Sequence, residues 1–272
     1  MGDVGLLKSI KGFKASKRMG QNFLISGEIA RLEAAYATGK NVVEFGSGLG
    51  ILTEELCKVA KSVISIEKDR RLFAILEEKV RYNNLKLVNS DFFALDRDTL
   101  RGYDLMISNV PYSLSSKTIS WLAEMHMEGV LCLQKDFVMH MLALPGSDKY
   151  SRLSVAAALQ FDLQKLADVP STMFYPKPKV DSAVIRIIPK GKQINRSLMR
   201  VVSLLMEHKK KRVKNAITDS AAELGLEKKD MNRRITGKGY AELRPFQVAP
   251  EELLRISADI LKTLGSGAHS KE

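Results

Sequence analysis

From Asn41 onward the chain alternates short apolar, β-branched runs with longer stretches of helical periodicity, and this alternation limits its fold more than any other feature. Strand and helix in regular succession predict a mostly parallel α/β sheet with helices on its faces. The runs that read as strands are Val42–Phe45, Val63–Glu67, Leu85–Ser90, Asp104–Ser108, Val130–Leu133, Leu163–Val169 and Ala183–Ile188. The last two have no clear helix between them and are joined through Pro170, Pro176 and Pro178. They therefore read as an antiparallel pair at one edge of the sheet.

After Pro189 the pattern turns to amphipathic helices, with candidates at Leu198–Ile217, Ser220–Leu224 and Pro250–Leu264. A domain boundary is expected between Pro189 and Ile194. The organisation this predicts is a basic N-terminal segment (1–22), an α/β domain (23–189), a basic helical domain (190–264) and a polar, disordered tail (265–272). Charge follows the same division. Residues 1–22 hold five basic and one acidic side chain, 23–189 hold twenty of each, and 190–272 hold eighteen basic and ten acidic, giving +4, 0 and +8 of the net +12. A neutral body between basic ends suits a catalyst held on a polyanion by its flanks, because phosphate contacts supply most sequence-independent affinity for nucleic acid. Charge meant only for solubility would be spread over all three segments.

Several classes are excluded. No apolar run approaches the roughly 18 residues needed to cross a bilayer, and the N-terminus lacks a secretory pattern, so the expectation is a cytoplasmic protein without membrane contact. Cys57 and Cys132 sit far apart in apolar stretches and read as reduced core residues. His126, His140, His208 and His269 have no spacing with Cys, Asp or Glu that builds a zinc site, and no metal is expected.

The segment Val42-Val43-Glu44-Phe45-Gly46-Ser47-Gly48-Leu49-Gly50 runs from a strand through a glycine-rich turn toward a helix starting near Thr53. Glycines let the backbone approach a ligand closely. A dinucleotide site would space its third glycine one residue later, and Glu44 stands where a pyrophosphate would be repelled. That acid suits S-adenosylmethionine, whose sulfonium and ammonium groups are cationic and which carries no phosphate. Glu67 ends the next strand, where a carboxylate can accept both ribose hydroxyls; paired with Lys68 it would be only a solvated strand end. Asp91 ends the third strand and can accept from the adenine amine of the cofactor, with Phe92 covering the ring. Gly46 and Gly48 complete the cradle.

Asn109-Val110-Pro111-Tyr112 follows the fourth strand directly. An exocyclic base amine is a poor nucleophile because its lone pair is delocalised into the ring. A site that methylates one must favour a pyramidal nitrogen, and hydrogen-bond acceptors do so. The Asn109 side-chain oxygen and the carbonyl of Val110 or Pro111 can each take one N–H, proline fixes the turn, and Tyr112 offers a π face to an extruded base. A plain strand-closing turn would explain Asn109 and Pro111 but not the aromatic.

These segments, with Gly20-Gln21-Asn22-Phe23-Leu24, Tyr150-Ser151-Arg152-Leu153-Ser154-Val155 and Phe174-Tyr175-Pro176-Lys177-Pro178-Lys179-Val180-Asp181-Ser182-Ala183-Val184, resemble the KsgA-type ribosomal RNA adenine N6,N6-dimethyltransferases, archaeal and eukaryotic Dim members included. The resemblance implies a class I S-adenosylmethionine-dependent methyltransferase: a Rossmann-like seven-stranded sheet with a small α-helical C-terminal domain. It implies methyl transfer to N6 of two adjacent adenosines near the 3′ end of small-subunit ribosomal RNA during ribosome biogenesis, by a monomer acting on pre-30S-type particles. Asn22 and Leu24 would close over the cofactor, Gly46, Glu67, Asp91 and Asn109 would line its pocket, and Phe174 would clamp the target base opposite Tyr112. The sequence departs at Ser47, where the family commonly has proline, and at Val110, where leucine or isoleucine is usual; neither removes a functional group. The segment His208–Asn215 resembles the basic helix opening the family's C-terminal domain, making Lys209, Lys210, Lys211, Arg212 and Lys214 candidates for the phosphate backbone. Competing readings are a non-catalytic ribosome assembly or transcription factor of the same fold, and an adenine methyltransferase for large-subunit ribosomal RNA.

Overall fold

The computed structural model describes residues 15–16, 19–191 and 194–265. Most of the basic segment 1–22, and the tail beyond residue 265, lie outside the described residues. Strands in chain order are β1 (Phe23–Leu24), β2 (Asn41–Phe45), β3 (Ser62–Glu67), β4 (Leu85–Asn89), β5 (Leu105–Asn109), β6 (Glu128–Gln134), β7 (Phe161–Val169), β8 (Phe174–Tyr175) and β9 (Ser182–Pro189). The helices are α1 (Gly27–Ala34), α2 (Ile51–Val59), α3 (Arg70–Lys79), α4 (Ser115–Met125), α5 (Lys135–Met141), α6 (Arg152–Gln160), α7 (Arg196–Glu207), α8 (Val213–Asp219), α9 (Lys228–Ile235) and α10 (Pro250–Gly265).

Seven strands form one sheet in the order β4-β3-β2-β5-β6-β9-β7. β2, β3, β4, β5 and β6 pair in parallel, while β9 runs antiparallel to β6 with Leu131 opposite Ile185. The predicted edge pair is therefore β7 and β9. Central strands are buried almost throughout, as in Val42, Ile64, Leu105 and Leu131, because helices cover both faces. The edge strand β4 alternates instead between half-buried and exposed. Chain order reverses between β2 and β5, and at such a switch point the crevice beyond the carboxyl ends of the strands is open to a ligand. The turns after β2, β3, β4 and β5 all empty into it.

The chain forms two compact units, one of residues up to Val138 with Asp162–Pro189, the other of Met139–Phe161 with the residues from Lys190 on. This corrects the expected α/β domain of 23–189. Residues 139–161 were assigned to it by position in sequence, but Tyr150, Val155 and Leu159 are buried in one cluster with Val201, Leu205, Val213, Ile217, Met231 and Ile256. The Tyr150 hydroxyl donates to the Val248 carbonyl at 2.9 Å, and Ser154 Oγ accepts from the Ser151 N–H at 2.9 Å to start α6. Within the second unit the expected single helix Leu198–Ile217 is two, α7 and α8, separated at His208–Arg212. The expected helix at Ser220–Leu224 is one 3-10 turn, Ala222–Leu224, and α9 lacked a clear signal because only Met231 and Ile235 of its eight residues are buried. Among the described residues no helix is long and apolar enough to cross a membrane.

Candidate functional site

At the carboxyl edge of the sheet the first unit encloses a cavity of about 700 Å³, within the usual size for a small-molecule site. Its cofactor side starts at the turn after β2. Gly46, Gly48 and Gly50 have φ of 79°, 57° and 85°, conformations that a side chain strains. A Cβ on Gly48 would come within 3.1 Å of the Phe23 ring, and one on Gly50 within 2.6 Å of Leu76 on α3. Backbone shape favours all three glycines, and packing adds to that requirement at Gly48 and Gly50.

Beneath this turn Glu44 is 1% exposed, and its Oε2 accepts from Thr53 Oγ1 at 2.6 Å and from Ser65 Oγ at 2.5 Å. Ser47, at the departure from the family's proline, hydrogen-bonds to Ser65 and extends this buried chain. Burial pushes the Glu44 carboxyl up to about 7. Glu67 at the end of β3 accepts from the Gly48 N–H at 3.0 Å and from the Asp69 N–H at 2.8 Å. Those bonds fix the carboxylate at the cavity wall, with lone pairs left for two ribose hydroxyls, and burial raises its pKa.

Asp69, which the sequence did not mark, ties the N-terminal segment down. Gln21 Nε2 donates to Asp69 Oδ2 at 3.0 Å while Gln21 Oε1 accepts from the Ser16 N–H at 2.7 Å. Arg71 grips the same carboxylate at 2.6 Å and holds it down at about 2. Asn22 and Leu24 then reach the cavity wall, with Leu24 on β1 paired to Phe174 on β8. Asp91 lines the wall, accepts from the Phe93 N–H at 3.0 Å and pairs with Lys68 at 2.7 Å, which lowers its pKa.

Phe92, expected to cover the adenine ring, lines the cavity while packing mainly into the core. It is 2% exposed, and its ring stacks on Phe45 at 4.7 Å and meets Trp121 at 4.9 Å, so it supports the cavity floor from within the core. The half-buried ring beside it is Phe93, with Lys117 Nζ 4.1 Å from its centroid. Phe92 and Phe93 both line the cavity.

The target side is built on the turn after β5. Asn109, Val110, Pro111 and Tyr112 line the same cavity, as does Phe174. The Tyr112 hydroxyl hydrogen-bonds to Ser182 Oγ at 2.8 Å, which fixes the ring, and Ser182 is fully buried on β9. Asn109 Nδ2 donates to Glu33 Oε2 at 3.2 Å, while Asn109 Oδ1 is buried without a partner among the described residues. A buried acceptor left open costs about 1–3 kcal/mol unless a ligand brings the donor. The sequence reading missed Glu33. The signal was present: Ala30, Glu33 and Ala34 share one face of α1, so an acid occupies a helix position where periodicity calls for an apolar residue.

These features fit S-adenosylmethionine. The glycine turn presents backbone and a buried acid, Glu67 offers a carboxylate to hydroxyls, and no basic side chain lines the turn after β2 to hold a phosphate. Cys57 and Cys132 are buried free thiols, and among the described residues no group of His, Cys, Asp and Glu could hold a metal.

The basic candidates belong to the second unit and lie largely in the turn between α7 and α8, which corrects the expected basic helix. Nearby acids and carbonyls take up most of these cations. Lys211 pairs with Asp219 at 2.6 Å, Lys214 pairs with Glu242 at 2.7 Å, and Arg212 pairs with Glu242 as well. Lys209 Nζ donates to the carbonyls of Asp148 at 3.1 Å and Tyr150 at 2.5 Å. Mutual repulsion in this cluster is therefore relieved within the protein, without need of a phosphate. Lys210 is exposed, and its ammonium has no partner among the described residues.

The sequence profile of the ribosomal RNA adenine dimethylase family matches residues 12–245. A probable ribosomal RNA small subunit methyltransferase A of Thermococcus onnurineus is 37% identical over 258 residues, covering 91% of this chain and 93% of its own. The protein of that name from Pyrococcus abyssi is 35% identical, with 92% and 93% covered. Among solved structures, a dimethyladenosine transferase from Plasmodium falciparum matches with a TM-score of 0.74 at 24% identity, over 89% of this chain and 98% of that one. The 23S rRNA methyltransferase ErmE matches with 0.57 at 22%, over 90% and 100%. These two likenesses establish the fold, that of class I methyltransferases with a helical C-terminal part. Because the profile spans most of the chain and relatives above 30% identity cover nine-tenths of it, the chain belongs to the ribosomal RNA adenine dimethylase family.

Proposed function

We propose that this S-adenosylmethionine-dependent ribosomal RNA adenine methyltransferase acts on small-subunit ribosomal RNA within pre-30S-type particles. It adds methyl groups to N6 of two adjacent adenosines near the 3′ end, as a cytoplasmic monomer. The observation that carries the chemistry is the unpartnered Asn109 Oδ1, a buried acceptor on a residue that lines the same cavity as Tyr112 and Phe174. S-adenosylmethionine supplies an electrophilic methyl group on a sulfonium when bound. Glu44, Gly46, Gly48, Glu67, Asp91 and the Asn22–Leu24 segment would hold it. Asn109 Oδ1 and the carbonyl of Val110 or Pro111 accept the two amine protons, which turns the nitrogen lone pair out of the ring plane and toward the methyl donor. Tyr112, held by Ser182, and Phe174 present aromatic faces to the extruded base. The names of the Thermococcus and Pyrococcus relatives favour the small subunit.

Transfer of tritiated methyl groups to unmethylated small ribosomal subunits tests this reading, with large subunits and free ribosomal RNA in parallel. Mass spectrometry of the labelled RNA then reports the adenosines and the methyls on each. Cofactor binding without transfer would leave a non-catalytic assembly factor, and label confined to large subunits would move the substrate there.

A further inference from the structure

Glu33 is fully buried on α1, and among the described residues no cation pairs with it. The groups that face it are Asn109 on β5, Glu44 on β2 and the buried Cys132 thiol on β6; its helix neighbour Arg31 is mostly exposed and reaches Glu55 on α2 at 4.0 Å. Its Oε2 receives Asn109 Nδ2, and its Oε1 is buried without a partner. An acid so placed costs stability, so its retention asks for another reason. The amide it touches has two ends of nearly equal shape and opposite hydrogen-bonding sense, and only one of them can accept an amine proton.

We propose that Glu33 is a positioning residue for methyl transfer, whose carboxylate takes the Asn109 amide nitrogen and so keeps the amide oxygen turned to the cavity. This rests on reading Asn109 as the acceptor for the adenine amine. An ionised Glu33 only accepts, so Asn109 has to present Nδ2 to it. A protonated Glu33 also donates, and an O–H directed at Asn109 Oδ1 would occupy the acceptor the substrate needs. Burial pushes the Glu33 carboxyl up to about 8. The productive orientation is therefore gained as pH rises through that value and lost below it. If only the ionised form is productive, the rate rises about tenfold from one pH unit below to one above. Burial also pushes the Glu44 carboxyl up, to about 7, and because the two carboxylates repel each other, removing the Glu33 charge lowers any limb from Glu44 without abolishing it.

The test is single-turnover methylation, with cofactor and RNA each varied up to saturation, from about pH 6 to about pH 9, using wild type, Glu33→Gln and Asn109→Ala. The side-chain amide resonances of 15N-labelled Asn109 are followed in the protein without cofactor over the same range. Glu33→Gln offers both a donor and an acceptor, so the preference for one amide orientation is lost. The expected result is a severalfold lower rate at high pH, unchanged KM for both substrates, loss of the limb near 8, and Asn109 amide signals that no longer shift with pH. A Glu33→Gln enzyme with wild-type rate and limb, or with Asn109 signals that titrate as in wild type, overturns the proposal. If Asn109→Ala is slow while Glu33→Gln is normal, only the Glu33 role falls. If Asn109→Ala is itself normal, both readings fall. Should Glu33→Gln not fold, Glu33→Met fills a similar volume without charge, and the same outcomes apply.

Discussion

The two sides of the cavity are built by different means. On the cofactor side the polar groups already have partners: Glu44 with Thr53 and Ser65, Glu67 with two backbone N–H groups, and Asp91 with Lys68 and Phe93. On the target side Asn109 Oδ1 is left without a partner among the described residues, and Tyr112, fixed by its hydroxyl, lines the cavity. A satisfied network sets a shape and needs no ligand to hold it. An unpartnered acceptor costs stability unless a substrate supplies the donor, and where one does it can favour the transition state over the bound base.

Breaking the target side should therefore cost the most in rate. Asn109→Ala removes an acceptor that matters most as the amine pyramidalises, and single-turnover methylation should slow by about 10²-fold or more while RNA affinity stays nearly unchanged. Near-normal turnover would remove the distinction between the two sides. On the cofactor side Glu67→Ala should weaken cofactor binding by roughly 1 to 3 kcal/mol with little effect on RNA affinity. Calorimetry that finds wild-type cofactor affinity would refute the ribose assignment. The fold should survive, since Glu67 sits at a strand end on the cavity wall.

A smaller and graded effect is expected at Tyr112. Tyr112→Ala removes stacking worth roughly 1 to 3 kcal/mol per base, whereas Tyr112→Phe keeps the face and loses only the bond to Ser182. Phenylalanine should restore most of the activity that alanine loses. If both variants were equally inactive, the hydroxyl would have a chemical role. The smallest effect lies outside the cavity. Neutralising Lys210 should flatten the salt dependence of RNA binding by up to about 0.7 to 0.9 for one phosphate contact, because in this cluster its ammonium alone has no partner among the described residues. Neutralising Lys209 should instead destabilise the second unit, where it holds the carbonyls of Asp148 and Tyr150. Equal salt slopes for wild type and the Lys210 variant would place the RNA surface elsewhere.

The main sheet was legible because its signals are local. Each of its seven strands lies within two residues of an apolar run, and the glycine and Asn-Val-Pro-Tyr turns follow directly on β2 and β5. The short pair β1 and β8 was not legible, since two residues carry no periodicity and their partners are about 150 positions apart. Phe92 and Phe93 could not be told apart by type, and only packing on Phe45 and Trp121 shows which ring is spent in the core.

By itself the sequence determined the seven strands of the main sheet, the two turns that open at the switch point and the basic excess of the chain's ends, because hydrophobic period, glycine and charge act over a few residues. Tertiary structure decided which distant groups meet. It carried residues 139–161 into the second unit, gave Asp219 and Glu242 to cations that looked free for phosphate, and set Glu33 against Asn109 from 76 positions away. Pairings of that kind depend on burial and on hydrogen bonds between elements. Those forces exist only once the sheet has closed around them.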